Sequence, residues 1–274
     1  MSARDYFTGK SVIITGGSSG IGLAFAQHVA GWGARVCLVA RRRPVLEEAK
    51  RQIEGRSPGA KVQMLELDVS REDDVAREVE GHVAAHGVDM LVNNAGVVMP
   101  GRFLDLPTKE FRQMMDVNYF GSVFMAKAVL PHLVGKRAGH VLNVSSLAGV
   151  MGIYGYTAYA GSKFALVGLS QALRAEMWPH GVKVSLCLPP DTDTPQLAFE
   201  NQYKPAETKA IAGTVKTLSP DAVALSMAEG MAKGAFEIYP DLASRMVALG
   251  QGVLPGVARW VCDSAQKKAQ PASS

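Results

Sequence analysis

The chain predicts an α/β fold, a doubly wound seven-stranded parallel sheet with helices on both faces and a helical tail at its C-terminal end. Two observations lead there. Short apolar, β-branched runs alternate with helix-patterned segments along the chain, the pattern of strands joined by crossover helices. Several of these runs, such as residues 35–40 (RVCLVA), are apolar on both faces, as a strand covered by helices on both sides must be. The 274 residues, 47% of them hydrophobic, suit one large α/β domain or at most two small ones. No internal repeat divides them, so residues 1–240 are expected to form one domain and residues 241–274 a tail.

The elements follow in order. Residues 11–15 (SVIIT) form the first strand, and a glycine-rich turn, 16–22, leads into a helix over 21–31. The second strand is 35–40. A charged amphipathic helix spans 44–54, with Pro44 tolerated in its first turn. The third strand, 62–67, ends at Asp68, and Ser70 with Asp73 reads as a capping box for a helix to about residue 85. The fourth strand is 90–95. Thr108 is read as the cap of one helix reaching about residue 135. A fifth strand at 140–146 is followed by a helix over 156–178, stopped at Pro179-His180-Gly181, and by a sixth strand at 182–188. Residues 191–218 carry little pattern. Ser219-Pro220-Asp221 starts a helix to about residue 233, and 236–239 is a short seventh strand.

The chemistry-bearing motifs fall at the ends of these strands. The run Thr15-Gly16-Gly17-Ser18-Ser19-Gly20-Ile21-Gly22 lies between a strand and a helix, where glycines let backbone N–H groups approach a pyrophosphate and the helix dipole adds positive potential. This defines the fold as Rossmann-type, although the Gly-x₃-Gly-x-Gly spacing is neither Gly-x-Gly-x-x-Gly nor a P-loop. A bare glycine turn is the bland alternative. After the second strand, where an acidic residue would bind the ribose of NAD, the chain has Ala40-Arg41-Arg42-Arg43. Arginine there suits the 2′-phosphate of NADP, or is a solvated basic turn. Asp68 is placed either to meet an adenine amino group or to serve the following helix. Tyr159 and Lys163 are four residues apart, hence on one helix face. An ammonium beside a phenol favours the phenolate, so the pair is expected to lower the tyrosine's pKa and ready it for proton transfer.

With these residues in view, the chain resembles the short-chain dehydrogenase/reductase family from about residue 10 to residue 240. Thr15 to Gly22 matches the family's nucleotide loop, Asn93-Asn94-Ala95-Gly96 its Asn-Asn-Ala-Gly motif, and Asn118 its catalytic Asn. Ser146, thirteen residues before Tyr159, matches the catalytic Ser better than the adjacent Ser145. The resemblance implies catalysis by Asn118, Ser146, Tyr159 and Lys163. It implies NADPH/NADP held by Gly16, Ser18, Ser19, Gly20, Ile21, Gly22, Arg41, Asp68, Asn94, Tyr159, Lys163, Thr192 and Thr194. In that scheme Tyr159 protonates the substrate oxygen, Lys163 holds the ribose, Ser146 bonds the carbonyl and Asn118 helps hold a relay water. It also implies a homodimer or homotetramer. One departure is Pro190, where the family usually has glycine after the sixth strand. Pro189-Pro190-Asp191-Thr192-Asp193-Thr194-Pro195, with Glu200-Asn201 and Lys204-Pro205-x-Glu207-Thr208, is similar to the branch that reduces the C3 ketone of 3-ketodihydrosphingosine. A lipid substrate and a place in sphingolipid synthesis are what that likeness implies. The alternatives are another lipophilic ketone or alcohol of the same family's range, or a non-catalytic NADP-sensing regulator.

Residues 191–218 are then expected to form a substrate loop. Asp191, Asp193 and Glu200 either meet a substrate amine or, the favoured role, cap turns and helix ends. In the tail, Leu242, Met246, Leu249, Val253, Val257 and Trp260 keep helical spacing, interrupted by Arg245, Arg259 and Pro255-Gly256 and followed by Lys267-Lys268. This suits a helix packed on the substrate mouth or a partner subunit, or a segment lying in a membrane interface. The remaining composition excludes more than it suggests. The net charge of +4, from 29 basic and 25 acidic residues, carries no basic stripe with interleaved aromatics, so nucleic acid is not expected. The three cysteines, Cys37, Cys187 and Cys262, form no disulfide framework or zinc pattern, and His82 and His86 lack a third ligand, so no metal is expected. With no signal-peptide core and no long apolar run, a cytoplasmic protein, reaching at most the membrane surface, is the expectation.

Overall fold

The computed structural model describes residues 1–213, 216–257, 259–260 and 263–264. Among them, seven strands form one sheet: β1 (Ser11–Thr15), β2 (Arg35–Ala40), β3 (Lys61–Glu66), β4 (Met90–Asn93), β5 (Gly139–Val144), β6 (Val182–Cys187) and β7 (Glu237–Ile238). All pair in parallel in the order β3-β2-β1-β4-β5-β6-β7. The helices are α1 (Ala3–Phe7), α2 (Gly20–Gly31), α3 (Arg43–Arg56), α4 (Glu72–His86), α5 (Thr108–Met114), α6 (Gly121–Lys136), α7 (Thr157–Met177), α8 (Pro195–Tyr203), α9 (Ala206–Ala212), α10 (Pro220–Lys233) and α11 (Leu242–Val253).

The double burial expected of the strands follows from their alternation. Val12 and Ile14 of β1, with Val36 and Leu38 of β2, face one core with Phe25 and Val29 of α2, Leu46 and Ile53 of α3, and Met227 and Met231 of α10. Ile13, Cys37 and Val39 point the other way, into a core with Val75 and Val79 of α4 and Met125, Val129 and Leu133 of α6. Neighbouring residues thus serve opposite layers, which is why these strands show no polar face. α10 approaches the sheet so closely that a methyl group at Gly230 would stand 2.5 Å from the Ile238 side chain.

Four features differ from the sequence expectation. Ser70 and Asp73 form no capping box: the Ser70 N–H and hydroxyl both donate to Asp68 Oδ1, at 3.0 and 2.7 Å, in a local Asx turn. Thr108 is the first residue of α5 rather than its cap. The single helix expected to about residue 135 is interrupted by a π-helical turn, Met115–Phe120, between α5 and α6. An inserted residue in a helix leaves the apolar spacing on either side almost unchanged, so periodicity does not reveal it. The described residues of 191–218 hold two short helices, α8 and α9. Their base is closed by bonds from Asp193 N to Leu218 O (2.9 Å) and from Leu218 N to Asp191 O (3.0 Å), making a compact excursion.

At the N-terminal end, α1 seals one core with Phe7, whose ring lies 5.6 Å from that of Phe25. α11 begins at Asp241, whose side chain accepts from Ser244 N. It turns Val247 to the cleft described below and leaves Leu242 72%, Met246 59%, Leu249 49% and Val253 74% exposed. Cys262, Lys267 and Lys268 lie outside the described residues. No described helix is long and apolar enough to cross a membrane.

Candidate active site

The sheet order reverses between β1 and β4, and chain direction carries the loops after these strands apart at their C-terminal ends. A crevice at that edge is where doubly wound sheets bind ligands. Here a cleft of about 230 Å³ opens there, lined by Gly16, Ser19, Gly20 and Ile21 after β1, Asn94 to Gly96 after β4, Ser145 to Ala148 after β5, Tyr159 and Lys163 of α7, and Pro189 to Thr192 after β6.

The glycine loop is held open by close backbone packing. Gly16 has φ +63°, a conformation costly for residues with a Cβ. A methyl group at Gly22 would stand 2.4 Å from the Gly16 carbonyl oxygen and 2.5 Å from Asn94 Nδ2. Asn94 binds the loop directly: Nδ2 donates to the carbonyls of Thr15 (3.0 Å) and Gly16 (3.2 Å). The Thr15 hydroxyl in turn accepts from the N–H groups of Asn94 and Ala95. Ser19, the N-cap of α2, makes no side-chain cap bond, so the first turn's N–H groups are left for another acceptor. Across the cleft, the Thr194 methyl would be 3.0 Å from a Cβ at Gly20, so Thr194 faces the loop while its hydroxyl caps α8 by accepting from Leu197 N. The Thr192 hydroxyl donates to the Pro190 carbonyl (3.0 Å). Arg41 is exposed just beyond β2 and Asp68 is half-buried just beyond β3. Both are at the same sheet edge but outside the cleft lining, and Asp68 is engaged with Ser70. Ser18 is half-buried within the loop and is likewise not part of the lining.

Ser146, Tyr159 and Lys163 line one end of the cleft, and Asn118 lies behind it, outside the lining. The two serines after β5 diverge. Ser145 is buried and donates to the Lys163 carbonyl (3.0 Å), whereas the Ser146 hydroxyl accepts from Ala148 N (3.1 Å) and bonds the Tyr159 phenol. Lys163 is buried, with Nζ donating to the Val144 carbonyl (3.0 Å) and lying 5.6 Å from the centre of the Tyr159 ring. Burial lowers its pKa to about 8. Asn118 is in the π turn and fully buried. Its Oδ1 accepts from Val97 N (2.8 Å), and Nδ2 donates to Val97 O (3.0 Å) and Ser162 Oγ (2.9 Å). A Cβ at Gly96 would lie 3.4 Å from Asn118 Oδ1 and 3.5 Å from Lys163 Nζ, so the absence of a side chain there leaves the corner between the two groups open.

The pKa of Tyr159 departs from expectation in sign. Burial, and next the negative charge of Glu200, push it above the ordinary phenol value. The Ser146 hydrogen bond opposes this and Asp191 adds to it. The Lys163 ammonium, directed at the Val144 carbonyl, does not offset them. Tyr159 is therefore held protonated, the state needed in a proton donor.

Glu200 was readable in the sequence only as one of three acidic candidates, favoured for a capping role. None of the three caps a helix. Glu200 is 7% exposed in the second turn of α8 and accepts from the Tyr156 hydroxyl (2.5 Å) and Gln196 Nε2 (3.3 Å). Asp191 pairs with Lys204 at 2.7 Å, and Asp193 is exposed. The one local signal for this group was the i,i+4 spacing of Glu200 and Lys204.

This sheet order, a glycine loop at its switch point and a Ser–Tyr–Lys set at the adjoining strand end define the scaffold of a nucleotide-dependent oxidoreductase. The sequence profile described as short chain dehydrogenase matches residues 10–204, and the chain belongs to that family. It is 42% identical over 234 residues to the 3-ketodihydrosphingosine reductase of Bos taurus, covering 83% of this chain and 70% of that one. It is 33% identical over 265 residues to the Dictyostelium discoideum protein of the same name, covering 90% and 79%. Among solved structures, a short-chain dehydrogenase from Sphingobium yanoikuyae in complex with NADPH superposes with a TM-score of 0.76 at 26% identity, covering 97% of this chain and 98% of that one. One from Burkholderia phymatum in complex with NAD has a TM-score of 0.78 at 25% identity, covering 98% of each.

Proposed function

We propose that this chain reduces the C3 ketone of 3-ketodihydrosphingosine to dihydrosphingosine with NADPH, in sphingolipid synthesis. The observation that carries the chemistry is the meeting of Tyr159, Ser146 and Lys163 in the cleft wall, the phenol bonded to Ser146 and Lys163 Nζ 5.6 Å from the Tyr159 ring centre. The substrate is supported by the relatives named 3-ketodihydrosphingosine reductase, 33–42% identical in the two cases above.

The residues present fit a nicotinamide dinucleotide. The Gly16–Gly22 contact leaves no room for side chains, and the uncapped start of α2 offers N–H donors to a pyrophosphate. Gly16, Ser18, Ser19, Gly20, Ile21, Gly22 and Asn94 form or brace that cradle, Thr192 and Thr194 close it from the opposite side, and Asp68 stands at the adenine end. Arg41, exposed just beyond β2, is suited to a 2′-phosphate, which favours NADP. The cofactor supplies the hydride when bound. Tyr159 gives its proton to the ketone oxygen, and the Ser146 hydroxyl supports the charge that develops on that oxygen. Lys163 holds the ribose hydroxyls. Asn118 keeps the loop after β4 and α7 in register beside it.

Residues 1–240 make up the catalytic unit and residues 191–218 its substrate lid. The apolar face of α11, with Arg245 beside it, rests on the cytoplasmic surface of a membrane, from which a lipid enters at Val247. Phe120 and Phe164, 41% and 45% exposed, lie on the face through which a homodimer or homotetramer forms.

The test is NADPH oxidation with 3-ketodihydrosphingosine beside a short β-ketoester and a steroid ketone. Reduction of the sphingoid ketone at least ten-fold more efficiently than the others (about 1.4 kcal/mol) is expected. Preference for either competitor overturns the substrate. Tyr159→Phe should lower turnover by about 10²-fold or more with NADPH affinity nearly unchanged. Near-wild-type turnover overturns the proton donor.

A further inference from the structure

Beyond Tyr159 the cleft wall carries a charged group, Glu200, that accepts its hydrogen bonds from Tyr156 and Gln196. Glu200, Asp191 and Gln196 line the cleft. Lys204 is outside the lining, its side chain 1% exposed, and it bridges the two carboxylates at 2.7 Å from Asp191 Oδ2 and 3.8 Å from Glu200 Oε2. The Tyr156 hydroxyl fixes Glu200 from the α7 side, and the Tyr156 ring lies 5.5 Å from the Tyr159 ring. The carboxylate is thus one ring removed from the phenol that marks the carbonyl oxygen. The other cation at this end, Lys163, is directed at the Val144 carbonyl. Lys163 senses the Glu200 charge only through space, so in direct contact two carboxylates share one ammonium.

A carboxylate buried to this degree costs free energy unless its charge is matched. Burial, with Asp191 opposing ionisation, raises the Glu200 pKa despite the bonds from Tyr156 and the charge of Lys204. The match is incomplete without a further cation. A ligand cation beside the ketone would supply it.

We propose that Glu200, set by Tyr156, Gln196 and Lys204, receives the ammonium on the carbon next to the substrate ketone, and so selects 2-amino ketones over neutral ketones of equal length. The inference rests on the function proposed above and names the group that would recognise the amine. The competing role is a brace that only fastens α8 to α7. A brace serves every substrate alike, whereas an amine subsite acts only on substrates that carry the charge.

The test uses the full chain and two substrates, 3-ketodihydrosphingosine and its desamino analogue 1-hydroxyoctadecan-3-one. Glu200→Gln keeps an acceptor for Tyr156 and removes the charge. It should raise the ratio of KM for the amino ketone to KM for the desamino ketone about 10- to 100-fold, the range for a hydrogen bond to a charged group, while any effect of the lost charge on the Tyr159 proton falls on the turnover of both substrates alike. An equal change in KM for both substrates, or no change in either KM, overturns the subsite. Wild-type enzyme that reduces the desamino ketone but not 3-ketodihydrosphingosine overturns the function itself, a separate result. A second measurement needs no variant: dihydrosphingosine should inhibit the wild-type enzyme at least about ten-fold more tightly than its N-acetyl derivative, one charged contact. Equal inhibition by the two overturns the proposal.

Discussion

Asn118 is the residue whose substitution best separates a catalytic role from a positioning one. Its amide makes three hydrogen bonds, two to the Val97 backbone after β4 and one to Ser162 on α7. It is completely buried. Asn118→Ala leaves the Val97 N–H and carbonyl and the Ser162 hydroxyl without this partner. At about 1 kcal/mol net per bond the loss is about 3 kcal/mol, before any contribution from the void. For a chain of this size each kcal/mol moves Tm by about 2–4 °C, so a fall of about 6–12 °C is expected. Differential scanning fluorimetry of the protein without added cofactor reads it. Turnover should fall as well, because the loop beside Lys163 loosens. A variant that loses turnover while Tm stays within about 1 °C of wild type, far below the ~2–4 °C per kcal/mol scale, would refute the reasoning. The side chain would then act on the reaction and not on the scaffold.

Three further predictions concern other parts of the molecule. Gly22→Ala drives a methyl group against the Gly16 carbonyl and Asn94, and should weaken NADPH binding at least ten-fold (about 1.4 kcal/mol) in a fluorescence titration; unchanged affinity would mean that the loop does not cradle the cofactor. His140 is buried between the Tyr6 hydroxyl (2.7 Å from Nδ1) and the Ser185 hydroxyl (2.8 Å from Nε2), and burial, with Lys183 nearby, lowers its pKa to about 3. The unfolded chain takes up that proton first, so the stability it contributes is complete above about pH 6.5 and is lost as pH falls toward 3; His140→Gln should flatten the acid limb of a Tm–pH curve, and an unaltered slope would contradict the assignment. Met246→Glu with Leu249→Glu should reduce co-sedimentation with anionic liposomes several-fold while leaving NADPH affinity as it was, and retained binding would exclude α11 as the membrane contact.

How much was legible in the sequence depends on how local each determinant is. β1 and β2 were readable because a strand buried on both faces must be apolar at successive positions. The glycine loop was readable because close backbone approach demands glycine at particular positions. Tyr159 and Lys163 were readable as a pair because a helix repeats within four residues. Asn118 could be marked by resemblance, but not its π turn, since one extra residue hardly changes the apolar spacing of α5 and α6. Residues 191–218 showed little pattern because α8 and α9 are nine and seven residues long, too short for a persistent period.

The sequence by itself predicted the class of fold, from the alternation of strand and helix patterns along the chain. It also marked the glycine loop and the Tyr159–Lys163 pair, which rest on residues adjacent in the chain or one helical turn apart. Only the tertiary structure decided the state of that pair. Tyr159 is kept protonated by its burial and by a carboxylate forty-one positions later, on a helix brought to it by the closure of the loop between Asp191 and Leu218. It also gave the two serines their partners, Ser146 on the phenol and Ser145 on the Lys163 carbonyl, where spacing to Tyr159 had only favoured Ser146. Charge acts through space and burial is a property of the packed whole, so neither could be read from spacing along the chain.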